Sequence, residues 1–263
     1  KFLRFIFGSP SSGIGIVRAA VFQSPPFERG NSTGRGFFEQ AGFMIFLNEY
    51  FMRAQVAPEM MDRLWARGWR HFGEYFFRYS IGYHDGEART VIPLRIELDK
   101  FTPSRSQKRA VTRNRDLEVL VRPTFIDEEK HGLFRRHKQR FADNVPDTIH
   151  DFLSRHPANT PCTNREIAVL SEGKLIGVSF LDVGQTACSS VYAMFEPAES
   201  KRSLGVFMIL EAIRHARELG CRYYYPGYAY RGPSFYDYKK NFSGLEFYDW
   251  ETGWKPYQQG ATE

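Results

Sequence analysis

Cysteine is scarce: Cys162, Cys188 and Cys221 are the three in 263 residues, and no two have C-x-x-C spacing. An odd set of widely separated thiols matches neither a disulfide scaffold nor a four-ligand zinc site, and a reducing interior is its natural setting. Long apolar runs are missing as well. The stretch 2–7 is six residues long, is interrupted by Arg4 and is followed by Gly8, so it fits neither a signal peptide nor a membrane span. The sequence has no G-x-S-x-G elbow, no H-E-x-x-H pair and no evident Ser-His-Asp order, which argues against serine-hydrolase and zinc-hydrolase chemistry. The glycines of residues 13–21 (GIGIVRAAV) fall short of a full G-x-G-x-x-G and follow no clear strand. They suit a surface or edge segment better than a cofactor loop, and no cofactor is expected.

What is present belongs to an ordinary folded enzyme-sized chain. At 42% hydrophobic it can fill a substantial core. Its 24 Phe and 14 Tyr imply a ring-filled interior or ring-lined surfaces for flat ligands, and composition does not separate the two. A net charge of +6 favours polyanionic partners without requiring them. The first 36 residues are rich in Gly, Ser and Pro and read as loop, and residues 42–50 as a strand. Met60, Met61, Leu64 and Trp65 mark a helix from Pro58 to the neighbourhood of Gly68. Residues 69–80 read as a strand pair broken at Gly73, 88–98 as a strand, and 116–122 as another. Two helices follow, over 128–140 with its surface histidines His131 and His137, and over 145–153. The loop at 157–162 lies near the surface. Then come a hairpin (165–170 and 175–183, turning at Glu172-Gly173) and a strand at 188–195. Asp182, at the end of a strand, is either a catalytic acid or base or a turn-capping carboxylate.

Residues 201–248 carry the densest signals. Phe207, Leu210, Ile213, Ala216 and Leu219 recur at helical spacing, Ser203 can cap the start, and Gly220 can end the helix. An aromatic strand follows over 221–230, ending near Gly227, and a basic helical turn holds Lys239 and Lys240 after Pro233. The order strand, strand, strand, helix, strand predicts an α+β fold, a mixed and mostly antiparallel sheet flanked by helices. The expected organisation is an N-terminal region over 1–90, partly loop-rich, packed on a larger domain over 91–263. A second cluster is basic: residues 100–115 (KFTPSRSQKRAVTRNR) hold six cations and no acid in their run from Lys100 to Arg115 until Asp116. A capped helix start among Arg and Lys is an anion site in waiting, and a solvated face is the bland alternative. The short polar SRSQ lead-in favours phosphate.

Three runs together, PLRIELDKFTPSRSQKR at 93–109, RSLGVFMILEAIRHARELG at 202–220 and YYYPGYAYRGPSFYDYKKNF at 223–242, resemble the arginyl-tRNA–protein transferase family, including bacterial members that attach leucine to acidic N-termini. The resemblance implies a GNAT-like acyltransferase fold, a cytoplasmic enzyme and an aminoacyl-tRNA donor whose ester is attacked by a protein α-amine. It implies that Arg105, Gln107, Lys108 and Arg109 recognise tRNA phosphate, that Arg202, Ser203, Leu204 and Gly205 place the acceptor end at the helix start, and that Tyr192, Tyr228 and Lys239 line the reaction cleft. Family members carry cysteines before the PLR-like strand. Residues 79–91 here read YSIGYHDGEARTV, so no metal is expected, and Tyr83 and His84 are expected in a compact turn. Partners are then aminoacyl-tRNA and a protein or peptide N-terminus, with no membrane. Two rivals stay open: an acyl-coenzyme A-dependent N-acyltransferase, and a non-catalytic tRNA-binding or degron-binding protein.

Overall fold

The computed structural model describes residues 16–17 and 46–258, apart from 85, 142–144 and 235. The glycine turn around residue 13 and most of the loop-rich start lie outside the described residues, as does the first part of the strand expected at 42–50. A small antiparallel sheet comes first: β1 (Ile16–Val17), β2 (Asn48–Met52), β3 (Arg70–Phe72) and β4 (Tyr75–Tyr79), in the order β1-β2-β4-β3. Helix α1 (Pro58–Trp65) stands between β2 and β3 and starts on Pro58, whose missing N–H costs nothing there.

The large sheet follows. Its strands are β5 (Ile81–His84), β6 (Glu87–Glu97), β7 (Glu118–Pro123), β8 (Asn164–Ser171), β9 (Lys174–Val183), β10 (Ala187–Phe195), β11 (Tyr223–Tyr230), β12 (Leu245–Asp249) and β13 (Gly253–Pro256). They lie in the order β13-β12-β6-β11-β10-β9-β8-β7, with β5 also on β6. Of the described pairings only β10 with β11 is parallel, so the mixed, mostly antiparallel sheet flanked by helices is what the chain forms. Residues 87–90 of β6 pair with β5 and residues 91–97 with β11 and β12, so the boundary expected at residue 90 falls inside one strand. The segment expected to be a turn at Tyr83 and His84 is the first arm of this hairpin.

Alternation along the strands sends neighbouring residues to opposite faces. Ile167 and Leu181 join Ile209, Ile213 and Ala216 of α4 (Leu204–Glu218) on one side. Ala168 and Phe180 join Leu133 and Phe134 of α3 (Glu128–His137) on the other. The small sheet and α1 cover that second side further along, through Met61, Trp65 and Phe76 against Ala187 and Tyr225. Helix α4 is the crossover that makes β10 and β11 parallel. Its N-cap Ser203 has left-handed backbone (φ 57°) and makes no side-chain cap bond, a correction to the expected cap. A missing cap costs about 1 kcal/mol, whereas each large apolar side chain fully buried contributes roughly 1.5–3 kcal/mol. Leu204, Phe207, Met208, Leu210 and Ile213 all face the core, so burial outweighs the cap. At the other end Gly220 supplies the left-handed residue (φ 72°) that stops the helix.

Two other expectations are revised. The helix expected over 145–153 is only the single 3-10 turn Ile149–Asp151, and Cys162, at the end of the loop placed near the surface, is buried.

Candidate functional site

The parallel pair β10/β11 holds together for three residues only, Ala187 to Ser189 against Tyr223 to Tyr225. The next two residues of β11 explain the break. Pro226 has no N–H to give to a ladder, and Gly227 takes φ 106°, a conformation that L side chains strongly resist. The β11/β6 register shifts between Tyr224 and Gly227, and the β10/β9 register shifts between Ser190 and Tyr192. The two strands are no longer paired beyond that point, and the gap between their inner edges is the candidate cleft.

Donors from outside the sheet reach the two inner edges. From β3, the Arg70 guanidinium donates to Ser189 Oγ and to the Ser190 carbonyl on β10. From the 3-10 turn Asp237–Lys240, Lys239 Nζ donates to the Tyr228 carbonyl on β11 at 3.3 Å. Opposite Tyr228 stands Pro93 of β6, which has no N–H. A Cβ on Gly227 would lie 3.3 Å from Lys239 Nζ and 3.8 Å from Arg70 Nη2, so glycine is what lets both cations approach the strand. Burial, with the Arg70 charge second, lowers the Lys239 ammonium from 10.5 to about 7. Its amine is thus available as a proton acceptor near neutral pH.

Tyrosines wall the cleft. Tyr228 Oη donates to the Gly68 carbonyl at 2.5 Å and its ring meets Tyr79 edge-on at 5.3 Å. Tyr224 Oη and Ser190 Oγ share a hydrogen bond of 2.6 Å. Tyr236 lies beneath Lys239, whose Nζ is 4.9 Å from the ring centroid. Tyr192 stacks on Phe152 with centroids 4.0 Å apart, and its buried hydroxyl has no hydrogen-bond partner. Burial raises the Tyr79, Tyr192, Tyr224 and Tyr228 phenols far above neutrality. They are therefore neutral walls and hydrogen-bonding groups, not bases.

A second buried cluster lies beneath this one. Asp182 Oδ2 is 2.6 Å from His71 Nε2, and Asp182 Oδ1 accepts from Asn164 Nδ2 at 2.7 Å. The other ring nitrogen, His71 Nδ1, faces the Gly73 carbonyl at 2.9 Å. Both ring nitrogens thus face oxygen atoms, which fixes the ring between the small sheet and β9. Asp182, expected as a catalytic group or a turn cap, is instead a buried tether between β9 and the small sheet. Cys162 completes a set of possible metal donors within 4.8 Å of one another. Burial, reinforced by Asp182, pushes its thiol pKa well up and keeps it protonated, and the imidazole and carboxylate are already engaged.

The expected tRNA-binding residues divide. Helix α2 (Arg105–Arg113) opens with a full capping box between Ser104 and Gln107, and Arg105, Lys108 and Arg109 are exposed. Gln107 is a correction: it is 4% exposed, and its side chain accepts from Ser104 N and donates to the Asn241 carbonyl. It positions the helix and presents nothing to a ligand. Arg202 is held by Asp116 and Glu199, Ser203 Oγ accepts from Arg113, and the Leu204 side chain is in the core. Gly205 lies in the first turn of α4, where an added Cβ would meet only Phe195 at 3.5 Å. Arg202 and Ser203 tie the start of α4 to Asp116 and α2, and Leu204 sits in the core cluster against which Val119 of β7 packs. His137, expected at the surface, is buried and hydrogen-bonded through Nδ1 to the Phe195 backbone, and burial lowers it to about 4.

Models of the arginine-tRNA-protein transferase family match the chain twice, its N terminus over residues 35–109 and its C terminus over residues 129–249. The chain belongs to this family. It is an aminoacyltransferase, and the two matched segments interleave, because β6 of the first lies between β11 and β12 of the second. Relatives include the aspartate/glutamate leucyltransferases of Saccharophagus degradans, 31% identical over 73% of this chain and 81% of that protein, and of Chromohalobacter salexigens, 33% identical over 74% and 79%. That of Ruegeria pomeroyi is 34% identical over 75% and 72%. Among solved structures, FemX is similar at a TM-score of 0.45 and 12% identity, over 72% of this chain and 67% of that one. L-PGS from Bacillus licheniformis scores 0.43 at 14% identity, over 69% of this chain and 54% of that one, about half its length. The transferase's motif runs place Arg70 outside every stretch that pointed to function. Its only sequence signal is an arginine at the head of a short strand between aromatic residues.

Proposed function

We propose that this transferase moves leucine from leucyl-tRNA to the α-amine of a protein or peptide that begins with aspartate or glutamate, and that the β10/β11 cleft is where the two substrates meet. The observation that carries the site is Lys239, a near-neutral amine held at the inner edge of a split sheet. The relatives' names support the choice of leucine and of an acidic acceptor. The acceptor nitrogen attacks the aminoacyl ester carbon, a C–N bond forms, and the C–O bond to the terminal ribose breaks. Lys239 takes the proton that the amine loses and returns it to the departing ribose oxygen, so the sum is balanced without an enzyme-bound intermediate. Tyr192 offers an unpartnered hydroxyl on the β10 side, and Tyr228 holds the opposite wall. The exposed cations Arg105, Lys108 and Arg109 on α2 meet donor phosphates. His71 and Asp182 tether the small sheet to β9 through their hydrogen bond, and the transfer step calls on no metal at this cluster. The transferase works in the cytoplasm; no described helix is long and apolar enough to cross a membrane.

The test uses purified protein, a panel of charged tRNAs and peptides differing in the first residue, with the product read by mass. Leucine added to Asp- and Glu-starting peptides is the expected result. Transfer of arginine alone, or transfer to basic or apolar N-termini, overturns the specificity. Tight tRNA binding with no product from any donor favours the non-catalytic binder.

A further inference from the structure

Arg70 and Lys239 bring a guanidinium and an amine to one place in the cleft, both within 3.8 Å of the point where a Gly227 side chain would begin. Among the described residues no carboxylate forms an ion pair with either. Arg70 is hydrogen-bonded to a hydroxyl and a carbonyl, and Lys239 to a carbonyl. The acid that acts on Arg70 through space is Asp182, which is already engaged by His71 and Asn164. A guanidinium partly withdrawn from water and lacking a counter-ion, beside an amine that can donate hydrogen bonds, forms a seat for an anion. Tyr79, Tyr224, Tyr228 and Tyr236 wall that seat.

Two anions come to a transferase of this kind, the donor's phosphates and the acceptor's side chain. A phosphodiester carries a nucleoside on each side and follows the donor backbone, whereas the acceptor's side chain travels with the α-amine that must come to Lys239. A carboxylate on a one- or two-carbon stem is small enough to enter. The exposed cations of α2 are on the open surface where a polynucleotide backbone can lie. The spacing agrees with this division. In an N-terminal aspartate the α-nitrogen and the carboxylate carbon are separated by two intervening carbons, so an amine at Lys239 leaves the carboxylate beside Arg70.

We propose that Arg70 binds the side-chain carboxylate of the acceptor's first residue, and so selects an acidic N-terminus. This rests on the acceptor reading above and adds the residue that enforces it. Ser189 Oγ and the Ser190 carbonyl fix the guanidinium from one side, leaving other N–H groups of the fork for the ligand. A charge-assisted bond of this type discriminates Asp from Asn on the order of 10- to 100-fold.

Two measurements on the full chain test it: kcat/KM for leucine transfer to peptides that begin with Asp, Asn, Glu or Gln, and the affinity of the same peptides without tRNA. The wild type should prefer Asp to Asn and Glu to Gln in both. Arg70→Gln should bring both ratios toward one, and Arg70→Lys should restore part of the preference, with the Lys variant and the wild-type peptide series carrying the test if the Gln variant does not fold. A preference unchanged in Arg70→Gln, or equal losses for Asp and Asn peptides, overturns the assignment. So does a fall in tRNA affinity with the Asp:Asn ratio intact, which would give the seat to a donor phosphate. If the wild type prefers Asp peptides in binding but transfers nothing, the carboxylate seat stands and the leucyl-transfer reading falls.

Discussion

Replacing Lys239 with methionine should stabilise the protein at neutral pH while disabling it. The ammonium falls from 10.5 in the open chain to about 7 in the fold. At 1.36 kcal/mol per pH unit, burial of the lysine therefore costs about 5 kcal/mol wherever both states carry the proton, which is below pH 7. Between pH 7 and 10.5 the unfolded chain holds the proton and the folded chain does not, so stability rises with pH through that window and the penalty vanishes above it. Methionine has similar length and removes the penalty. It also removes the bond to the Tyr228 carbonyl, leaving a partly buried acceptor unpaired at a cost of about 2 kcal/mol. The net is a gain of about 2–3 kcal/mol at pH 7, which shrinks as pH rises and reverses to a loss near pH 9. Urea unfolding of wild type and Lys239→Met at several pH values between 6 and 10 reads this difference directly, because other titrations cancel. Leucine transfer by the same variant should fall on the order of 10²- to 10⁴-fold, the usual contribution of a general base. A variant less stable than wild type at pH 7, or a stability difference flat across the pH range, refutes the argument.

Other substitutions probe the surroundings. Gly227→Ala forces an L residue to φ 106° and sets a Cβ 3.3 Å from Lys239 Nζ; it should cost about 2 kcal/mol in thermal unfolding and move the pH midpoint of transfer. Neutralising Arg105, Lys108 and Arg109 together should weaken tRNA binding and reduce its log–log salt slope by roughly 2–3, and an unchanged slope removes α2 from the nucleic-acid site. His71→Ala strips one partner from a buried pair and should lower stability by roughly 3–5 kcal/mol, whereas a loss under 1 kcal/mol in urea titration would show the pair is dispensable.

Much of the fold is legible because periodicity and punctuation are local. The β8/β9 hairpin follows from alternation and the Glu172-Gly173 turn (φ 50° and 77°), and α4 from its 3.6-residue stripe. Lys239 was reached through the motif that contains it. The functional surroundings were less legible. Nothing near Arg70 in sequence shows that β3 crosses over β10, a contact between residues 119 positions apart. Ser203 looked like a cap by residue type, yet its left-handed backbone turns it away from that bond. Gln107 looked like part of a polar, phosphate-facing run, but its hydrogen bonds to Ser104 and Asn241 point inward. The surroundings of His137 and Asp182 left no periodic trace, because each is buried against partners distant in sequence: the Phe195 backbone for one, His71 and Asn164 for the other.

The position of β6 has a consequence for how the chain is made. Its flanking strands arrive late: Val91 pairs with Tyr230 and Leu94 with Phe247. At 5–20 residues per second, a ribosome finishes β6 on the order of ten seconds before the strands that will flank it exist. Through that interval Ile92, Leu94 and Ile96, all core residues of the finished molecule, are an unpaired apolar strand on a nascent chain. Such a strand is a substrate for chaperones and a nucleus for aggregation. A stop codon anywhere before β12 would leave one edge of β6 open for good, so shortened products should be cleared rather than accumulate as partial enzymes.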